Sequence, residues 1–295
     1  MDDNSLNEFP FEFRKKQVDE SLQKENWKAV EAGIAEEEKP VARLRWLRPV
    51  MIAASVLVVF AGIWYWQNNS NNSQVDKIKT FYGELRRITL PDGSTVVVNS
   101  NSTISIPQNW PEQGDRQLWL EGEAYFEITK KPITKQRFIV HTSHIDIEVL
   151  GTKFNVNTRH EQSVVSLEEG KVQLSVNGNN KELIEAKQPV VMKPGEVAII
   201  NDAHKVAINE DRAVTYRSGW SRNEYHFDNT SLAEIAKMIK DNYGYTMQTD
   251  DDSLYQRKIS GDLRAASLSE LIQVLEVAFK IKMNIENKTI HLQAI

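Results

Sequence analysis

Cysteine is absent from the whole 295-residue chain. Disulfides, thiol nucleophiles and cysteine-ligated zinc are therefore excluded, and thiol usage says nothing about the redox compartment. An excess of basic charge is also missing, since 36 Lys and Arg stand against 41 Asp and Glu for a formal net charge of -5. Phosphate binding needs a concentrated basic surface, so no nucleic-acid partner is expected. The chain contains no G-x-G-x-x-G, Walker A, H-E-x-x-H or G-x-S-x-G spacing. Asp250, Asp251 and Asp252 lack the glycine and distant glutamate of an EF-hand. His141 and His144 are expected in a strand region, facing opposite sides. Glu121, Glu123 and Glu127 could supply a carboxylate pair, but alternating carboxylates are ordinary on strands. No enzymatic activity, cofactor or metal site is expected.

Long apolar runs are scarce, with one exception. Val50 to Trp66 carries no charge, and at ~1.5 Å per residue it spans roughly 25 Å, inside the range for a membrane helix. Trp46 lies at one end and Trp64, Tyr65 and Trp66 at the other, where amphipathic rings favour the headgroup boundary. Lys39, Arg43, Arg45 and Arg48 precede the run, whereas QNNSNNSQVD after it has no basic residue. That asymmetry places the N-terminus in the cytoplasm and the C-terminal part outside. A removable signal peptide does not fit, because residues 1–48 precede the run and no A-x-A site follows it.

Within residues 1–48, Phe13, Val18, Leu22, Trp27, Val30 and Ile34 recur at three-to-five spacing, which predicts an amphipathic helix from Phe11 to Ile34. Such a short helix cannot bury its apolar stripe alone, so a cytoplasmic partner is expected, with Trp27 as anchor. After the polar linker, ELRRITLPDGSTVVVN reads as a hairpin turning at Asp92-Gly93. RQLWLEGEAYFEI, RFIVHTSHIDIEVLGTKFNVN, SVVSLEEGKVQLSV, KELIEA and VVMKPGEVAII continue the alternation, so an all-β sheet stack or wound β structure is expected. Gly122, Gly151 and Gly195 fit bulge or turn positions better than phosphate cradles.

The last 70 or so residues hold a repeat at an offset of 36. Phe227-DNTSLAEIAKMIKDNYGY aligns with Leu263-RAASLSELIQVLEVAFKI. Ser231 with Glu234, and Ser267 with Glu270, each predict a capping box. Leu232, Ile235 and Ile239 match Leu268, Leu271 and Leu275 as helix faces, and a final hairpin turns at Asn287. The expected unit is β-α-β used twice, with a helix pair on one sheet. Its final segment, Lys280 to Leu292, is the expected edge for pairing with a partner strand, through Ile281, Met283, Ile285, Ile290 and Leu292.

Four stretches resemble signatures of the FecR-type transmembrane anti-sigma factors. RRITLPDGSTVVVNSNSTI holds Leu90, Asp92, Gly93 and Asn99, and EGEAYFEI holds Gly122, Glu123, Ala124 and Phe126. VLGTKFNV holds Gly151, Thr152 and Phe154, and MKPGEVAII holds Pro194 and Gly195. The C-terminal repeat is similar to the domain that follows in Bacteroidota members, itself related to the short N-terminal domain of secretins and TonB-dependent transporters. The resemblance implies a membrane-anchored multi-domain chain: a cytoplasmic sigma-factor-binding segment (1–48), a transmembrane helix (49–66), a periplasmic linker (67–82), an all-β FecR domain (83–210) and a small α+β domain (219–295). It implies an inner-membrane protein that relays a signal from the signalling domain of a TonB-dependent outer-membrane transporter to an ECF sigma factor, released by regulated proteolysis. Phe13, Val18, Leu22, Trp27 and Val30 are the expected sigma contacts, although segment 1–48 is short beside the fuller anti-sigma domain of many relatives. The alternative is a membrane-anchored binding module for a glycan or envelope partner, with no transcriptional role.

Overall fold

The computed structural model describes residues 20–35, 57, 59–63, 75–110, 114–176, 189–201, 205–211 and 214–295. The chain divides into two units, 1–71 and 72–295. In the first, helix α1 spans Glu20–Ala35, and Trp27 and Val30 are exposed on it. The expected helix from Phe11 is described only from Glu20. Of the expected span 49–66, only residues 57 and 59–63 are described; these are helical and exposed. Among the described residues no helix is long and apolar enough to cross a membrane.

The second unit begins with strands β1 (Val75–Lys79), β2 (Arg86–Thr89), β3 (Thr95–Val98), β4 (Thr103–Pro107) and β5 (Arg116–Glu121). Next are β6 (Glu123–Glu127), β7 (Phe138–His141), β8 (Ile145–Val149), β9 (Lys153–Asn157) and β10 (Gln162–Glu169). Then come β11 (Val172–Val176), β12 (Val190–Met192), β13 (Glu196–Asn201) and β14 (Val206–Glu210). They form two seven-stranded sheets, ordered β1-β4-β5-β7-β8-β11-β12 and β14-β13-β10-β9-β6-β3-β2. The chain passes repeatedly from one sheet to the other and the two sheets share one core, so the expected all-β region forms as a stack of two sheets. All neighbours are antiparallel except β5 and β7. Alternation places Val96, Val98, Ile104, Ile106, Leu118, Leu120, Phe126 and Phe154 in one shared core between the layers.

β1 pairs with β4 along its whole length. The expected linker 67–82 is thus corrected: from Val75 it is sheet edge, because Ile78 packs on the core and Thr80 donates to the Asn99 and Ser102 carbonyls. KELIEA lies outside the described residues.

The motif residues prove to be packing and turn devices. Leu90 is buried, and its amide donates to the Ser94 carbonyl across the β2–β3 turn. Gly93 adopts φ 83° there. Asp92 does more than turn the chain. Its carboxylate accepts from the Ser94 amide at 2.9 Å and hydroxyl at 2.7 Å, and it pairs with Arg116 in the interior, with side chains 5% and 2% exposed. Arg116 also donates to the carbonyls of Thr129 and Gln136 at 3.1 and 3.0 Å. Phe126 stacks on Phe154 with centroids 4.9 Å apart, and Ala124, opposite Val156, is buried in the same core. Thr152 donates to the Lys171 carbonyl. Lys130 packs so closely on Gly151 that a Cβ would come within 2.6 Å. Pro194-Gly195 forms the β12–β13 turn, with the Gly195 amide donating to Leu167.

A 3₁₀ segment, Val214–Arg222, leads into the C-terminal domain. That domain comprises β15 (Glu224–Ser231), α2 (Leu232–Tyr243), β16 (Thr246–Gln248), β17 (Lys258–Arg264), α3 (Leu268–Phe279), β18 (Ile281–Glu286) and β19 (Thr289–Ala294). The two helices occupy equivalent repeat positions, and Leu232, Ile235, Ile239, Leu271 and Leu275 enter one core. Asn287 turns the final hairpin at φ 55°.

Three expectations for this domain are corrected. The strands form two small sheets, β15-β17 and β16-β19-β18, and no single sheet carries the helix pair. The cause is the final hairpin, whose second strand inserts between β16 and β18 and takes the hydrogen bonds of both. Ile290 and Leu292 therefore lie on a central strand and not on an edge, and only β18 presents the expected edge. Ile281 and Met283 point into the core, leaving Ile285 exposed. The capping box is complete at Ser231 but only half formed at Ser267, because Glu270 accepts from the Ala266 amide instead.

Breaking the interior pair by Asp92→Ala should cost about 3–5 kcal/mol, because the guanidinium would stay buried without its counter-charge. Adding Arg116→Met should recover part of that loss, as a urea-unfolding cycle would record. At the first capping box, hydrogen bonds from the Ser231 backbone and then its hydroxyl hold the Glu234 carboxyl below its ordinary value. Its stabilisation is therefore present above the usual carboxylate range and disappears as pH falls through the lowered value. The urea-midpoint gap between wild type and Glu234→Gln should close on acidification.

Candidate functional site

The described residues offer no catalytic constellation, and no group of three or more His, Asp or Glu among them could hold a metal ion. The possible carboxylate pair does not form. Gly122, at φ 101°, crosses the chain between layers; it puts Glu121 at the end of β5 and Glu123 at the start of β6, in opposite sheets. A Cβ at Gly122 would sit 2.4 Å from the Ser102 hydroxyl. His141 meets Asp146 at 2.6 Å on β8, whereas His144 lies in the turn after β7 and not in a strand. His204 is outside the described residues.

The most developed polar site lies where the C-terminal domain meets the outer face of the second sheet. Strand alternation makes that face: Val97, Glu123, Tyr125, Asn155, Ser166 and Glu168 point away from the core that Val96, Phe126, Phe154 and Leu167 fill. Glu123 is 7% exposed. One of its oxygens accepts from the Asn99 side chain at 2.7 Å and the other from Asn155 at 3.0 Å. Arg159 stands 3.6 Å away, with its side chain 11% exposed. A buried carboxylate requires such partners, because an isolated charge in a dry interior is very costly.

Arg159 then reaches across the joint. One guanidinium nitrogen donates to the Asn242 side chain at 2.8 Å and another to the Ser100 carbonyl at 2.5 Å. Asn242 lies in the last turn of α2, and its own carbonyl accepts from the Gly83 amide at 2.8 Å. A cation and a backbone donor thus meet the negative end of that helix. Next to them, His160 contacts Asp241 at 2.7 Å, and Tyr82 lies against Gly244. Apolar contribution is small, consisting of Val97, Tyr125 and Trp220 with Leu85 and Tyr225 at the margin. Burial, and then the neighbouring Glu168, push the Tyr125 hydroxyl above its ordinary value. It stays protonated and donates to Glu168 at 2.9 Å, while Glu168 also accepts from Ser218 in the 3₁₀ segment. A cleft of about 350 Å³ opens beside the joint, bordered by Arg159, Tyr216, Trp220, His226, Asp241 and Asn242.

Of the residues expected to contact a sigma factor, Trp27 is 67% and Val30 48% exposed on α1. Phe13, Val18 and the Leu22 side chain lie outside the described residues. The motif residues Asn99 and Glu123 are gathered at the joint; no local sequence pattern marks Arg159, Asn242 or Asp241, which join them there.

Comparison with known proteins covers both the β domain and the C-terminal domain. The model of the family described as FecR protein matches residues 76–173, and that of the FecR C-terminal domain matches residues 224–292. No curated protein matches. Two crystal structures, at 2.50 and 1.65 Å, of a candidate anti-sigma factor from Parabacteroides distasonis are similar to 75% of this chain and 99% of theirs. Each has a TM-score of 0.59 at 23% identity, a likeness of fold.

Proposed function

Because the chain belongs to the FecR family, we propose that it is a single-pass inner-membrane anti-sigma factor, N-terminus inside. The carrying observation is the order of parts: a charged segment with an exposed Trp27, an uncharged run, and then the two FecR domains in sequence. Cation-rich and cation-free flanks of Val50–Trp66 support the orientation. In this proposal α1 holds an ECF sigma factor, with Trp27 as the buried anchor once bound. The signalling domain of a TonB-dependent outer-membrane transporter contacts the C-terminal domain, and periplasmic and intramembrane proteases release the N-terminal part. The motif residues serve the fold of the sensor and perform no chemistry.

For the transporter contact, β18 is the candidate edge. Its Met283 amide is already taken by the Glu276 side chain at 2.8 Å. Pairing with a partner strand would therefore use the Ile285 end or displace that carboxylate.

Residues 1–48 should capture the sigma factor encoded beside the gene, and Trp27→Ala should weaken capture roughly thirtyfold. Absence of capture, together with no transcript changes on deletion of the gene, would sink the proposal. At the far end, Ile285→Pro should abolish induction while far-ultraviolet circular dichroism stays native. Intact induction in that folded variant would remove β18 as the contact.

A further inference from the structure

Four of the five buried side-chain polar atoms without a hydrogen-bond partner among the described residues lie at or beside the joint between the two FecR domains. They are Asn155 Oδ1, Arg159 Nε, Ser166 Oγ and Trp220 Nε1; the fifth, Arg116 Nε, belongs to the interior pair with Asp92. Asn155 and Ser166 stand directly opposite on β9 and β10. Trp220 packs on Tyr125, which is opposite Asn155 on the other side. Opening would let water reach these groups, for which the described residues supply no partner.

The joint is thus made unlike the two cores it separates. Those cores are apolar and would stay closed under any perturbation that leaves the chain folded. The joint has only the small apolar cluster of Val97, Tyr125 and Trp220; one guanidinium, two asparagines and a His–Asp contact supply the rest and converge on the last turn of α2. Interfaces of this polar kind open at low free-energy cost.

We infer that Arg159 and the last turn of α2 form a releasable latch between the sensor domains. Its opening is the step that passes the signal from the C-terminal domain to the β domain. This regulatory role rests on the anti-sigma proposal, whereas the latch itself does not. When the latch opens, Arg159 and Glu123 remain paired in the β domain and exchange their helix contacts for water. The Asn242 carbonyl loses its Gly83 cap, and the outer face carrying Tyr125 and Asn155 becomes accessible.

Hydrogen–deuterium exchange on the full chain in detergent tests the latch. With Arg159→Ala, amides of residues 81–84 and 240–244 should exchange roughly ten- to a hundredfold faster, the loss of one charged hydrogen-bond pair. Amides of 164–167 in β10 and 271–275 in α3 should keep wild-type rates. Asn242→Ala should reproduce the pattern, and Arg159→Lys should fall between it and wild type. Unchanged exchange at both joint segments, or an equal rise in every segment, would overturn the latch. Transcripts that respond to deletion of the gene give the second readout. Arg159→Ala should shift them without inducer, and a loosened joint with wild-type transcripts would overturn its signalling role. Should deletion itself alter no transcript, the anti-sigma proposal fails while the exchange result still decides the latch.

Discussion

Glu123 enters the second sheet one residue after Gly122 carries the chain across from the first, and that crossing fixes where its carboxylate must go. The alternate positions, Ala124 and Phe126, are taken by the core, so Glu123 faces outward, under the C-terminal domain. A buried carboxylate is tolerated only with donors and a counter-charge. Asn99, Asn155 and Arg159 supply them from three different segments. Arg159 has donors left over, and these fall on Ser100 and on Asn242. The seat of the C-terminal domain thus follows from satisfying one charge in the β domain.

The family signature is explained by the same kind of constraint. Asp92 neutralises Arg116 in the interior, Leu90 and Phe126 fill the core, and Gly122 and Gly151 stand where a Cβ has no room. A motif made of folding requirements describes a scaffold and leaves specificity to surfaces. In the C-terminal domain those surfaces are few, since most large apolar side chains are committed to its own core.

The contrast between cores and joint bears on the proposed signal relay. Two apolar cores give each domain its own packed interior, while a largely polar joint lies between them. An arrangement of that kind can hand a contact at the C-terminal domain to the β domain with no rearrangement inside either.

Local patterns in the sequence were sufficient for much of this structure. The 36-residue offset located both helices, Ser231 with Glu234 marked a real cap, Asp92-Gly93 marked a real turn, and period-two alternation separated core from surface along most strands. Alternation says which way a side chain faces, but not which sheet the strand joins or what lies across from it. For that reason the entry of β1 into the sheet, the insertion of β19 between β16 and β18, and the separation of Glu121 from Glu123 came only with the tertiary structure. The joint is the extreme case. Asn99 and Glu123 are 24 residues apart, Arg159 and Asn242 are 83 apart, and Asn99 and Asn242 are 143 apart. Helix, turn and strand signals are written within a few residues because backbone hydrogen bonds and side-chain periodicity act at that range. The partner of a buried charge is chosen by packing across the whole domain, and no local spacing records it.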